Sequence, residues 1–331
     1  MIIQNGLLSM VRWRAIGPIS VRLEERSFSH DDFSVSRYDE DQLDELLKDD
    51  KKYWSPVNFD LAYKPGYWLE LDFDVNHDEK FWEKAVSLVR SFLEACGLFK
   101  TTLSKLAVAG LCVRRPDEGG SFGWEDTIVG KRHYLLKTTE YNGFIELLDK
   151  YTKFWNANKP TAQSSKQLKR INWARYYFGK TYQAIKAVER YIFLSLALEF
   201  LYGEGQHELR YRLSNRAALL LGDDIERRRI VYGDVQKAYK KRSNILHGGI
   251  SWRIEPKEVL IYTEIIRQTI LRCISLHEKG YSNINKALDE CMHDPEKHAK
   301  LLKDAKAFFG TLSEYKEPGK SARSRGWAIR K

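Results

Sequence analysis

The sequence predicts an α+β protein: an N-terminal mixed α+β domain followed by an all-α helical bundle. Three observations carry this expectation. Tyr67 to Val75 alternates apolar and polar residues with a period of two, as a half-buried strand does. Beyond residue 166, apolar residues recur at helical spacing in one long segment after another. Between these halves, Asn156 to Lys166 has the polar, proline-containing composition of an interdomain linker. At 331 residues and 43% hydrophobic the chain can fill two cores. The expected division is 1–160, 161–315 and a basic flexible tail over 316–331.

In chain order, Ile2 to Ile19 supplies one or two strands interrupted at Gly17-Pro18, and the acidic stretch Tyr38 to Lys52 is a short helix or an exposed loop. In the strand from Tyr67, Leu69, Leu71 and Phe73 share one face, with Glu70, Asp72 and Asp74 on the other. Three aligned carboxylates suit a divalent cation, but alternating acids are the ordinary solvent face of an antiparallel strand, and no metal is expected there. After a cap in Asn76-His77-Asp78, a helical stripe from Phe81 ends at Gly97. A strand follows over Leu106 to Val113, and Arg114 to Gly130 reads as a glycine-rich loop without the strand-loop-helix frame of a phosphate cradle. Tyr134 to Lys137 returns as a strand and Tyr141 to Trp155 as a helix. Further helices are expected at Leu168–Phe178, Thr181–Leu201, Glu208–Leu221, Ile225–Leu246, Glu258–His277 and Pro295–Phe309; the second, apolar nearly all round, should be central.

Charge divides along the chain. Residues 1–165 hold 22 Lys+Arg against 26 Asp+Glu, net −4, whereas 166–331 hold 33 against 19, net +14. A basic half suits an anionic polymer as partner, as a solvated cationic surface also would. Cys96, Cys112, Cys273 and Cys291 are widely spaced, which suggests neither a zinc site nor a disulfide framework. The most apolar run, Tyr191 to Phe200, is too short for a bilayer, and no signal peptide is evident, so the expected location is cytoplasmic, away from membranes.

The densest constellation ends the helix from Ile225. Val231, Val235, Ala238, Arg242 and Ile245 recur at steps of four and three, which sets an arginine on an apolar stripe. Such a charge needs a carboxylate, a phosphate or another subunit beside it. Glu199, sharing a stripe with Ile192 and Leu196, is a candidate partner, or else faces water at its helix end. Five residues on stands His247, where Gly248 and Gly249 offer a cap that would turn the imidazole towards the guanidinium. Imidazole moves protons near neutral pH and guanidinium stabilises charge on phosphate oxygens, which together suffice for RNA cleavage by its own 2′-hydroxyl without metal or cofactor. The spacing is weak by itself: about one Arg-x4-His is expected by chance in a basic chain of this size. A second occurs at Arg272 and His277, the histidine near a helix end where a protonated ring would complement the dipole, so its expected role is structural or at the surface.

Context separates the two. Ala197-Leu198-Glu199-x-Leu201, Glu208-Leu209-x-Tyr211-Arg212-Leu213, Arg216-Ala217-Ala218-x-Leu220-Leu221-Gly222 and Arg242-Ser243-x-Ile245-x-His247-Gly248-Gly249 follow one another at suitable intervals. This series resembles the Apea-like branch of the HEPN superfamily of all-helical domains, over about half the chain, roughly residues 165–310. The resemblance implies metal-independent RNA cleavage by Arg242 and His247, often at a symmetric dimer interface, in toxin or antiphage systems. Many such motifs carry Asn or Asp directly after the arginine; here Ser243 stands there and Asn244 one place on, a candidate supporting residue.

Arg227, Arg228 and Arg229, then Lys237, Lys240 and Lys241, make the same helix basic. Phosphate tracking by Arg227, Arg228, Lys237, Lys240 and Lys241 is the functional expectation, a solvated face the bland one. The partners expected are RNA, a second copy of the chain through the helical half, and a trigger or regulator bound by residues 1–160. A non-catalytic nucleic-acid or partner-binding scaffold is the alternative function. Metal-dependent phosphoryl chemistry on the N-terminal acidic face is a third.

Overall fold

The structure, a computed structural model, describes residues 11–19, 21–25, 27–31, 33–46, 66–75, 80–101, 111–114, 121–123, 134–184, 186–204, 208–248 and 253–313. The expected cap at Asn76 to Asp78 and the basic tail from Lys316 lie outside these residues.

Contacts divide the chain into two compact units, Met1–Leu93 with Ser104–Ile145, and Glu94–Leu103 with Glu146–Lys331. This differs from a boundary at residue 160. Tyr151 donates to Glu94 at 2.6 Å, Phe154 meets the His277 ring edge-on at 5.9 Å, and Arg175 lies over Trp155, so 146–157 belongs with the helices that follow. The division falls inside two helices, and the polar stretch from Asn156 is a turn within the second unit.

The first unit is built on strands β1 (Val11–Pro18), β2 (Val21–Leu23), β3 (Ser27–His30), β4 (Phe33–Tyr38), β5 (Gly66–Val75), β6 (Leu111–Arg114), β7 (Ser121–Gly123) and β8 (Tyr134–Leu136). Six form an antiparallel sheet in the order β3-β4-β5-β1-β6-β7, and β2 pairs with β8 in parallel. The alternation in β5 sets its register: Leu71 opposes Ala15 on one side and Phe33 on the other, and Leu69 opposes Val35. This apolar face is covered by the start of α2 (Phe81–Phe99) and of α3 (Tyr141–Ala157), where Phe92 packs on Phe33 and Phe144. The β3–β4 hairpin turns through Asp31 at φ 45°, a left-handed conformation that Asp tolerates. Helix α1 (Glu40–Leu46) fills part of the acidic stretch after β4.

Two expectations change here. Ser121 to Gly123, within the expected loop, is a strand paired to β6, too short for alternation to mark it. The acidic face of β5 is also no open row of carboxylates: Trp68 and Glu70 are buried. Glu70 accepts from Arg14 and from Tyr38, and burial together with that carboxylate pushes the Tyr38 phenol up to about 12.

The second unit contains, among the described residues, helices α4 (Lys166–Gln183), α5 (Ala187–Tyr202), α6 (Leu209–Leu221), α7 (Ile225–Gly248), α8 (Pro256–Glu278), α9 (Ile284–Glu290) and α10 (Pro295–Lys306). The helix expected over Thr181–Leu201 is broken, because Ala184 is extended and its carbonyl accepts from Arg190 Nε. Ser165, Asn283 and Asp294 cap α4, α9 and α10 by accepting from the third residue on. Asp224 does the same for Arg227 at the start of α7. Among the described residues no helix is long and apolar enough to cross a membrane.

The centre is α8, not α5. Every residue from Tyr262 to Leu276 is buried, polar ones included. Arg267 donates to both oxygens of Glu264 at 2.8 and 2.9 Å and to the Leu98 carbonyl at 2.6 Å. Arg272, wholly buried, donates to the Leu220 carbonyl and lies 3.8 Å from Asp223. α5, apolar all round, keeps Ile192, Phe193, Leu196 and Phe200 half-exposed. Cys96, Cys273 and Cys291 are buried free thiols, and burial pushes Cys273 up to about 12.

Removing Arg267 would leave the Glu264 carboxylate in the core without its counter-charge, held only by the neutral donors Thr101 and Gln268. Arg267→Ala should destabilise the second unit by about 3–5 kcal/mol, measured as a lower urea midpoint of its transition in the full chain. A midpoint unchanged from wild type would show that the pair does not hold the core.

Candidate functional site

The chemistry-bearing residues converge on the last turns of α7. Its stripe does what the spacing implies, but for the chain's own benefit: Val231, Val235 and Ala238 are buried against neighbouring helices of the same bundle. They are therefore not free to pair with a second copy. Further along, the stripe rises towards the surface, leaving Arg242 and Ile245 half-buried and Leu246 49% exposed.

Arg242 has its carboxylate. Its Nη2 lies 3.0 Å from Glu199 Oε1 and 3.4 Å from Oε2, and the guanidinium sits 5.5 Å from the centre of the Tyr239 ring one turn earlier. Burial raises the pKa of Glu199, with Arg242 and a hydrogen bond from Tyr239 opposing the shift. Burial and then the Glu199 charge raise that of Tyr239. Glu199, Arg242 and Tyr239 thus form a charge-balanced cluster where α5 meets α7. Both side chains of the ion pair are about one-fifth exposed, so a phosphate can still reach the guanidinium.

His247 is placed differently from expectation. α7 continues through Gly248, so the imidazole leaves the last regular turn instead of being released by a cap. Five residues on a helix advance about 7.5 Å and turn about 140° from Arg242. The two groups therefore start from different faces of α7. His247 instead falls in line with Asn244, Lys240 and Lys237, at steps of three and four. Lys237, Lys240 and His247 are exposed and Asn244 is half-buried, so this face is cationic and open.

The basic set splits accordingly. Lys237 and Lys240 stand on the His247 face, but Lys241 is bound to Glu258 at 2.5 Å, tying α7 to the start of α8. Burial would raise the Glu258 pKa, yet Lys241 and the Glu255 amide bring it below the usual range. Arg228 bonds the Gly222 carbonyl at 3.3 Å and His298 Nδ1 at 3.0 Å. Arg227 and Arg228 also lie near the far end of α7, some 20 Å along the axis from Arg242. They belong to a different surface.

The other Arg-x4-His is structural. Arg272 is part of the core, and His277 is half-buried against Phe154; burial lowers its pKa, opposed by Glu278, which works against a protonated ring at the helix end. Tyr239 and Leu246 were the neighbours of Arg242 that sequence reasoning passed over, although their spacing of three and four from it was in view.

No family model matches the chain. No curated protein and no solved structure matches it either.

Half-buried His277 and buried His298 make stability depend on acidity. His298 Nε2 donates to the Leu219 carbonyl at 2.7 Å, which leaves Nδ1 to accept from Arg228. Burial lowers its pKa, the Leu219 bond opposes and Arg228 reinforces the shift. With His277 and His298 both depressed below 6.5, the unfolded chain takes up protons first as pH falls. Their contribution is complete above about pH 6.5 and is lost as pH drops towards the folded-state values. The thermal midpoint should fall between about pH 7.5 and about pH 5.5, with a shallower fall in His298→Gln. An identical slope in wild type and variant would refute the assignment.

Proposed function

We propose that this chain is a metal-independent endoribonuclease of the HEPN type, cytoplasmic and homodimeric, serving in a toxin or antiphage defence system. The observation that carries the reading is the end of α7. There a guanidinium oriented by Glu199 and Tyr239 and an exposed imidazole share one helix with an open cationic face. Arg242 binds the scissile phosphate and stabilises charge on its oxygens. His247 takes the proton of the attacking 2′-hydroxyl or returns one to the leaving oxygen. The 2′-oxygen bonds to phosphorus as the bond to the 5′-oxygen breaks, giving a 2′,3′-cyclic phosphate and a 5′-hydroxyl.

The angle between Arg242 and His247 favours a composite site. Two-fold pairing sets the Arg242 flank of one protomer against the His247 face of its partner. Ile192, Phe193, Leu196 and Phe200 on α5, with Leu246 on α7, give an apolar surface suited to such pairing. The N-terminal unit then holds a trigger or regulator. One observation favours the alternative of a non-catalytic scaffold: Glu199 already neutralises Arg242 within a single chain. That alternative leaves RNA intact, with salt-sensitive binding that survives His247→Ala.

On a denaturing gel of mixed cellular RNA, wild type should cleave with or without chelator, and His247→Ala should be at least about 100-fold slower. His277→Ala should stay within a few-fold of wild type. Intact RNA, 5′-phosphate ends or loss of activity on chelation would each remove the mechanism.

Assembly has its own check. Leu246→Glu sets like charges near the two-fold axis, and the protein should become monomeric and lose cleavage together. A wild-type monomer whose specific activity is independent of concentration would sink the composite site.

A further inference from the structure

At the end of α7 remote from Arg242, the second unit contains a cavity of about 610 Å³, within the range that holds a small organic ligand. Arg228 from α7 lines it, with Asp223 just before that helix and Lys303, Lys306 and His298 from α10. Met292 and Leu302 give it an apolar wall, and Met292 is 38% exposed.

The arginine is held in place from two directions. Its Nε bonds the Gly222 carbonyl and its Nη2 the buried His298 ring, itself anchored on Leu219. A Cβ at Gly222 would lie 2.5 Å from Arg228 Cγ and 2.7 Å from its backbone nitrogen, so only glycine permits this seat. A guanidinium fixed in this way is prepared for phosphate, since ordering it costs little on binding. Lys306 bonds Asp223 at 2.8 Å, and Asp223 also lies 3.8 Å from the buried Arg272. Three cationic side chains, Arg228, Lys303 and Lys306, therefore face one carboxylate that is already shared. The surplus of positive charge calls for an anion carrying at least two negative charges. An inorganic anion would leave the exposed Met292 side chain uncovered.

We propose that this cavity binds a mononucleotide, its phosphates on Arg228, Lys303 and Lys306 and its ring against Met292 and Leu302. The inference is separate from the ribonuclease reading and stands or falls by binding alone.

Calorimetric titration of the full chain with ATP, AMP and pyrophosphate tests it. ATP should bind, AMP and pyrophosphate more weakly, and Lys303→Glu should weaken ATP by about ten-fold or more. Lys303 is exposed, so the variant should keep the wild-type circular dichroism and thermal midpoint. If Lys303→Glu does not fold, Lys306→Ala provides the same comparison. Absence of ATP binding, or binding indifferent to both substitutions, would overturn the proposal. So would equal affinity for pyrophosphate and ATP, which would reveal an anion site with no role for the apolar wall.

Discussion

A helix buried on every side must satisfy its own charges inside the protein, and α8 meets this constraint for the whole second unit. Glu264 and Arg267 neutralise one another, and the arginine reaches the Leu98 carbonyl on a segment far away in sequence. Arg272 takes the Leu220 carbonyl at the end of α6 and approaches Asp223 before α7. Each buried cation therefore also serves as a cross-tie that fixes where a neighbouring helix starts or stops. Burying such groups without partners would cost several kcal/mol each, of the order of the stability of a whole domain. Helices α6 and α7 are placed by these ties as much as by apolar packing.

That placement accounts for the character of the Arg242 region. Because Val231, Val235 and Ala238 are drawn fully into the bundle, the remaining turns of α7 must emerge at its rim. An arginine at the rim is dry enough to need Glu199 and wet enough to meet an outside anion. The same geometry directs His247 towards solvent with Lys237 and Lys240. One helix thus carries three environments in succession: a cavity wall, a core and a charged rim.

How much of this could be read in the residues depended on whether local pattern or distant contact decided the outcome. β5 was legible because its alternation is long and regular, and α7 because its apolar stripe is. The pairing of Glu199 with Arg242 was legible as one of two alternatives, since each sits on a defined stripe. α8 was found as a helix but not as the centre, because Glu264, Arg267 and Arg272 read as surface charges until their partners are known. The unit boundary was misplaced for a related reason: a polar, proline-containing segment reads as a linker, yet Tyr151, Phe154 and Trp155 before it already belong to the helical core. At the site itself, the glycine pair suggested a cap that α7 does not use at Gly248, and this alone altered the relation of imidazole to guanidinium.

The bond from Arg267 to Leu98 spans 169 positions and has a consequence for synthesis on the ribosome. The segment Glu94–Leu103 leaves the exit tunnel long before the helix it belongs with exists. At bacterial or eukaryotic elongation speeds the wait is on the order of 10–30 s. During that interval α5, α6 and α7 have no central helix to pack on, and their apolar faces remain exposed to solvent. Closure is then a late event of high contact order, which folds slowly and exposes the nascent chain to aggregation. The step that completes the core also seats the α7 rim, so a nascent chain lacks an ordered Arg242 cluster until α8 has left the ribosome.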